Sequence, residues 1–330
     1  MTTYDFHAQF AFALQDSIVQ GQAIQWLAGE AEQLPERWQA IQALTDPIER
    51  LTILAQAMLG THSDRARSGT RQQSGGYRFW VERHASHFLR ERREWMQALG
   101  LEPNLPDLAF FPAASWALEI PFALRKPYLS KDDTTFHLLD NPVRKEQIFQ
   151  VPMVAATGWK GALRAALWQL SYREDHEVTI RLLGNPRESE AGQAGRLHFF
   201  ATFFEKIGLE VINPHNRQSG VGERGPILME CVPQGATGTL LLLYVPFGSL
   251  DRREVAQDLA VTAQGLHAML TTYGFGAKTS SGFGVVEEQL IGQGKLLIRA
   301  ALHTHTFTTL SGLQEQAQQV AAQLRSGGGG

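Results

Sequence analysis

The chain has 330 residues, 43% hydrophobic and 19% charged, which supplies a real core and excludes a wholly disordered chain. Lys and Arg number 30 against 33 Asp and Glu, a net charge of −3, so a globally basic nucleic-acid coat is excluded and a local basic patch is not. One cysteine, Cys231, excludes a disulfide framework and a multi-Cys zinc cluster and fits a reducing compartment.

The opening MTTYDFHAQF lacks the basic and apolar regions of a signal peptide. Residues 8–29 place Phe10, Leu14, Ile18, Ile24 and Leu27 at a loose 3.6-residue period, which predicts a helix. Asp46-Pro47 supplies an N-cap and a first-turn proline. Ile48, Leu51, Leu54 and Met58 follow on one face, and Gly60 stops the helix. Thr61 to Gly76 reads as a polar loop. A third helix, about 79–99, is basic through Arg83, Arg90, Arg92 and Arg93, and the proline-rich LEPNLPDLAFFP ends the helical region.

From Trp116 the texture changes. WALEIPFAL reads as a strand and GWKGALRAALWQL as a helix opened by glycine. RLHFFATFF, IGLEVI and TGTLLLLYVPF read as strands. The apolar run 239–245 is far short of the roughly 20 residues a membrane span needs, so a soluble cytoplasmic protein is expected. Residues 251–272 form an amphipathic helix with Val255, Leu259, Leu266, Met269 and Leu270 on one face. The Gly-rich YGFGAKTSSGFG follows, then a strand VVEEQLI, a turn GQGK, a strand LLIRAALHTHTF and a last helix over about 311–325. The final SGGGG is linker-like. This order predicts an α+β fold whose natural candidate is a ferredoxin-like (RRM-type) βαββαβ core. The expected domains are a helical extension over 1–112, the core over 113–310, and a C-terminal helix with its tail over 311–330.

Four constellations are candidates for chemistry. In Gly158-Trp159-Lys160-Gly161-Ala162-Leu163-Arg164, two glycines bracket a lysine where a helix begins. Free backbone N–H groups and the helix dipole suit phosphate there, and an ordinary helix start with solvated charges is the plainer alternative. Gly274-Phe275-Gly276-Ala277-Lys278-Thr279-Ser280-Ser281-Gly282-Phe283-Gly284 fails the Walker A and GxGxxG patterns. Its glycines, hydroxyls and lysine still suit close approach to a sugar-phosphate chain, or a simple turn. Asp132, Asp133 and Asp140 lie among Lys126, Lys131, Arg144 and Lys145, a set that suits phosphoryl chemistry or a solvated mixed-charge loop. Asn213-Pro214-His215-Asn216-Arg217 opens a polar loop in which His215 and Arg217 are candidate phosphate or base contacts, or turn residues. His303 and His305 share one strand face without an evident third ligand.

Together these motifs resemble the RAMP superfamily, the RNA-binding backbone subunits of type III CRISPR effector complexes. Asp140-Asn141-Pro142-Val143, then Val151-Pro152 and Lys160-Gly161 through Arg164, keep the spacing of the family's D-x-P-V and P-x-I-P-G-S-S-x-K-G-x-x-R pattern. The chain departs from it at Val154-Ala155-Ala156-Thr157-Gly158-Trp159, where the proline is lost. Gly274 to Gly284 resembles the family's C-terminal glycine-rich loop. Gly195 to Phe200 with Asn213-Pro214-His215 is similar to a subunit toward the guide's 3′ end.

The resemblance implies a ferredoxin-like core with an inserted thumb. It implies guide RNA (crRNA) held by backbone contacts, and it implies complementary target RNA, sibling RAMP-type subunits and the large signature subunit as partners. The RNA-binding residues would be Lys126, Lys131, Arg144, Lys145, Gly158, Trp159, Lys160, Gly161, Arg164, His215, Arg217, Gly274, Gly276, Lys278, Thr279, Ser280, Ser281 and Gly282. In cutting members the Asp of D-x-P-V is needed for metal-dependent attack of a ribose 2′-hydroxyl on its adjacent phosphate. Asp140 would then be catalytic, with Asp132 and Asp133 secondary, Lys126 or Arg144 on the phosphate, and a divalent cation, Mg²⁺, as cofactor. The Asn-Pro-His resemblance implies instead a cap that does not cut, so the resemblance leaves both roles open. An unrelated phosphate-ligand enzyme is the remaining alternative, and the failed Walker spacing argues against it.

Overall fold

The computed structural model describes residues 17–34, 36–59, 62–69, 74–132, 137–185, 192–212, 227–248, 251–299 and 304–326. Asp133, His215, Arg217, Gly60, His303 and residues 8–16 lie outside them. The chain folds as two compact units, each assembled from separate stretches of sequence.

The first unit draws on Met1–Trp95, Ser130–Gln150 and Glu205–Cys231. Its helices are α1 (Ser17–Leu27), α2 (Pro47–Leu54), α3 (Ser63–Ser68), α4 (Gly76–Arg83) and most of α5 (Ala85–Ala98). Helix α2 starts as the sequence predicts. The Asp46 carboxylate accepts the Ile48 N–H at 2.7 Å, and Pro47 occupies the first turn. Its α-helical turns end at Leu54, and Met58 falls in a 3₁₀ segment, Ala55–Leu59. The expected loop over 61–76 is helical at α3, where Asp64 in the first turn and Arg65 and Arg67 in the last complement the helix dipole. The expected single helix over 79–99 breaks at His84, whose Nε2 lies 3.2 Å from the Gly29 carbonyl. The basic residues of α5 have partners within the unit. Arg92 pairs with Asp46 and lies over the Phe88 and Trp95 rings, and Arg93 pairs with Glu205 at 2.9 Å. Strands β5 (Gly208–Ile212) and β6 (Ile227–Cys231) form an antiparallel pair in this unit. Cys231 is buried, and burial first, then Glu210 and Glu230, push its thiol up to about 12, so it is a packing residue.

The second unit draws on Met96–Leu129, Val151–Phe204 and Val232–Gly330. It holds a five-stranded antiparallel sheet of order β3-β7-β1-β8-β9, made of β1 (Trp116–Ala123), β3 (Leu197–Phe199), β7 (Thr237–Tyr244), β8 (Gln289–Ile298) and β9 (His305–Thr309). A short pair, β2 (Met153–Val154) and β4 (Thr202–Phe203), forms a separate two-stranded ladder. With α6 (Ala156–Gln169) after β1 and α8 (Arg252–Ala268) after β7, the run β1-α6-β3-β7-α8-β8 is a βαββαβ unit. Its order agrees with the ferredoxin-like expectation. Helix α7 (Glu177–Leu183) is an addition between α6 and β3, and α9 (Leu310–Ser326) packs on α8.

Period-two alternation sets the faces of β1. Trp116, Leu118, Ile120 and Phe122 are fully buried, and Trp116 stacks on Tyr244 at 4.8 Å. On the opposite face Ala117, Leu243 and Val245 are covered by Leu108 from the proline-rich segment, with Leu105 and Phe111 beside it. The GQGK turn is not formed. Strand β8 runs through it, with an irregular register between Gln289 and Gly294, and the Phe307 ring lies where a side chain at Gly294 would stand. Gly292 and Gln293 are exposed on this long strand, whereas Gly294 is buried.

Candidate nucleic-acid surface

In the second unit, α6 begins two residues before Gly158. Its N-cap, Ala155, provides no side-chain hydrogen bond, and its first turn has no acidic residue. The helix therefore presents uncapped N–H groups at the positive end of its dipole. Gly158 and Gly161 are exposed. A side chain at Gly161 would meet nothing within 4 Å, and one at Gly158 only Val154 at 3.5 Å. Packing does not require either glycine, and each costs helix stability of about 0.5–1 kcal/mol relative to alanine. Lys160 and Arg164 are half-buried neighbours. Burial first, and then the Arg164 charge, hold the Lys160 amine below its usual range.

Trp159 corrects the sequence reading. It is fully buried, so it is a core residue rather than a ligand contact. Its Nε1–H donates to Thr202 Oγ1 at 3.0 Å, and its ring lies 4.4 Å from that of Phe275. That ring contact brings together two motifs more than a hundred residues apart, the start of α6 and the Gly-rich loop.

The loop is fixed by backbone geometry. Phe275 N–H donates to Gly284 O at 2.9 Å, Ala277 N–H to Leu129 O at 2.7 Å, and Gly284 N–H to Pro127 O at 2.8 Å. The segment carrying exposed Lys126 therefore runs beside the loop. Gly276 (φ 86°) and Gly284 (φ 69°) are left-handed, and a Cβ at either would overlap a carbonyl, of Leu129 or of Phe275. Lys278 takes the left-handed region at φ 57° without being glycine, and it is exposed with Ser280, Ser281 and Gly282 around the short turn Thr279–Ser281. Gly274 is also left-handed and buried. Gly282→Ala is expected to cost about 1–2 kcal/mol from backbone strain alone, since nothing lies within 4 Å of its Cβ position. Gly284→Ala is expected to cost clearly more, because strain and overlap add. Urea unfolding of the two variants measures the difference.

The acidic cluster belongs to the first unit. Asp140 is exposed, with 69% of its side chain accessible, and pairs with Arg67 at 3.2 Å. Arg67 also donates through Nε to Leu138 O at 3.0 Å. Asp132 lies beside the segment that follows Asp140. Its N–H donates to Pro142 O at 3.2 Å, and its carboxylate accepts the Lys145 N–H at 3.5 Å. Arg144 is exposed, with its N–H on Ser130 Oγ at 2.7 Å, and Lys131 is exposed. Lys145, expected at the RNA, has a protein partner. Its Nζ lies 2.9 Å from both oxygens of fully buried Glu230.

Glu230 is the residue sequence reasoning missed. Besides Lys145 it accepts the Tyr77 hydroxyl, the Val143 N–H at 2.9 Å and His137 Nε2 at 3.4 Å, and its own N–H donates to Asn141 O at 3.1 Å. The segment after Asp140 is thus tied to one buried carboxylate. The available signal was a lone acid within the apolar run ILMEC, since a buried charge needs partners.

The described residues include no group of three His, Cys, Asp or Glu side chains placed to hold a metal ion. Asp140 faces Arg67, and the Asp132 carboxylate accepts a backbone N–H. Among the described residues, no helix is long and apolar enough to cross a membrane.

Residues 74–287 match the RAMP superfamily, and the chain belongs to that family. No curated protein matches it. Among solved structures it is similar to a chain of the type III-B Cmr-beta complex bound to cognate target RNA, at 14% identity and TM-score 0.40, over 68% of this chain and 67% of that one. It is also similar to a chain of the Csm3-Csm4 subcomplex of the type III-A CRISPR-Cas interference complex, at 13% identity and TM-score 0.41, over 63% and 96%. A chain of a type IV-B CRISPR complex matches at 16% identity and TM-score 0.38, over 59% and 96%. At these scores the likenesses carry no weight for the role of any residue.

Proposed function

We propose that this chain is a guide-RNA-holding backbone subunit of a type III CRISPR ribonucleoprotein. The observation that carries this reading is the apposition of the uncapped α6 start, with Lys160 and Arg164, and the left-handed Gly-rich loop, with Lys278, through the Trp159–Phe275 contact. Such a surface takes phosphate through backbone N–H groups and point charges, which suits a guide held irrespective of its sequence. The β5–β6 pair, inserted between β3 and β7, is the counterpart of the family's thumb. Sibling RAMP-type subunits, the large signature subunit and complementary target RNA are the partners in this reading.

Asp140 is its candidate cutting residue. An exposed carboxylate on that segment orients a target 2′-hydroxyl, which attacks the adjacent phosphorus, closing a 2′,3′-cyclic phosphate and releasing a 5′-hydroxyl. Arg144 takes up charge on the phosphate. The Arg67–Asp140 pair favours the second reading, a cap in which Asp140 only anchors its loop.

The test is target-RNA cleavage mapped at nucleotide resolution in the reconstituted complex with Mg²⁺. Asp140→Ala leaves the fold intact, because a surface pair contributes about 0–1 kcal/mol. Loss of one cut with unchanged guide content is expected for a cutting subunit, and persistence of every cut assigns the cap. Lys160→Ala with Arg164→Ala is expected to strip guide RNA from the complex, and unchanged guide content would overturn the reading.

A further inference from the structure

A cavity of about 180 Å³ lies within the first unit, beside the Glu230 cluster. Three of its walls are aromatic. Tyr77 and Trp80 stack at 5.7 Å and 12°, and Phe88 sets its ring edge-on to Trp80 at 5.7 Å. Its polar wall is Lys145, Gln150, Thr52 and His137, whose ring nitrogens already meet the Leu139 N–H and Glu230. A cavity of about 150 Å³ holds one benzene ring, so this one has room for a single heteroaromatic ring system.

The polar wall offers both senses of hydrogen bond. Lys145 spends two contacts on Glu230, and an ammonium has three donors. The Gln150 amide N–H donates to Gln147 O at 2.7 Å, which leaves its carbonyl oxygen to accept. Thr52 donates to Ile48 O at 2.7 Å and likewise keeps an acceptor. Gln150 also stands in the left-handed region at φ 58°, a strained backbone on the cavity wall. A purely apolar ligand uses none of these groups. A nucleobase has apolar faces and an edge of mixed donors and acceptors, the chemistry that matches this lining. We propose that this cavity is a pocket for one unstacked nucleobase. The choice of nucleobase rests on the RNA-binding reading above, whereas the pocket rests on the cavity.

Titration of the full chain with uridine and with adenosine, which carry no phosphate, tests it by calorimetry. Saturable binding of at least one is expected. Leu51→Phe, which fills the cavity from α2, is expected to weaken that binding at least tenfold. Gln150→Gly relieves the left-handed strain and removes the amide. It is expected to weaken binding about tenfold with no loss of melting temperature, which a merely structural glutamine would not do. The proposal is overturned if neither nucleoside binds, if the filled variant binds as well as wild type, or if toluene binds and the nucleosides do not. Guide content in the Lys160 and Arg164 variants is read separately, so either reading can fail while the other stands.

Discussion

Glu230→Ala is expected to lower the unfolding free energy by about 3–5 kcal/mol, the cost of removing one partner from a buried ion pair. Typical domain stabilities are about 5–15 kcal/mol, so the loss moves the urea midpoint far or unfolds the unit. The variant leaves Lys145, 14% exposed, without its carboxylate partner and deprives the Tyr77 hydroxyl and the Val143 N–H of their acceptor. It also frees the segment between Asp140 and Lys145.

The same carboxylate gives a pH signature that Glu230→Gln isolates. Burial alone would raise its pKa, but the Lys145 ammonium, followed by His137, more than offsets burial and holds it well below the ordinary 4.5. A depressed carboxylate stabilises the fold fully above its unfolded value and loses that contribution as pH falls toward its folded value. Wild-type stability minus that of Glu230→Gln is therefore expected to be flat above about pH 5. Below about pH 4.5 it should decline by roughly 1.4 kcal/mol per pH unit. A difference that stays flat to pH 3 would sink this account of the cluster.

Trp159→Ala is expected to cost a further class of stability, about 3–5 kcal/mol, because it empties a site enclosed by Phe122 and Phe275. Trp159→Phe is expected to cost far less, with roughly 1 kcal/mol assigned to the lost hydrogen bond on Thr202. Thr202 still donates to Thr239 O at 2.8 Å, so its hydroxyl is not orphaned. Chemical denaturation ranks the two. If they cost the same, the indole is not packed as described. Guide binding is expected to fall with the alanine variant although Trp159 touches no solvent, because the ring joins α6 to the Gly-rich loop.

The chain was most legible where its signals are local. Asp46-Pro47 marked a helix start, where the Asp46 carboxylate accepts the Ile48 N–H at 2.7 Å. Alternating apolar residues identified β1, and a continuous apolar run identified β7. The Gly-rich loop was visible because its glycines sit where backbone φ is positive. The less legible places have physical reasons of their own. The break at His84 depends on a hydrogen bond to Gly29, 55 residues earlier. Gly294 within β8 makes room for the ring of Phe307 across the strand pair, so this glycine serves packing and not a turn.

Local composition and spacing were therefore enough for the α+β class and the main helices and strands, because caps, turns and periodicity act over a few residues. They could not distinguish a tryptophan facing the ligand from one facing the core, nor a free lysine from a buried partner. Trp159 is settled by Thr202 and Phe275, and Lys145 by Glu230, 85 residues away. Burial and ion pairing are properties of what the folded chain brings alongside a residue, and that is decided by tertiary packing.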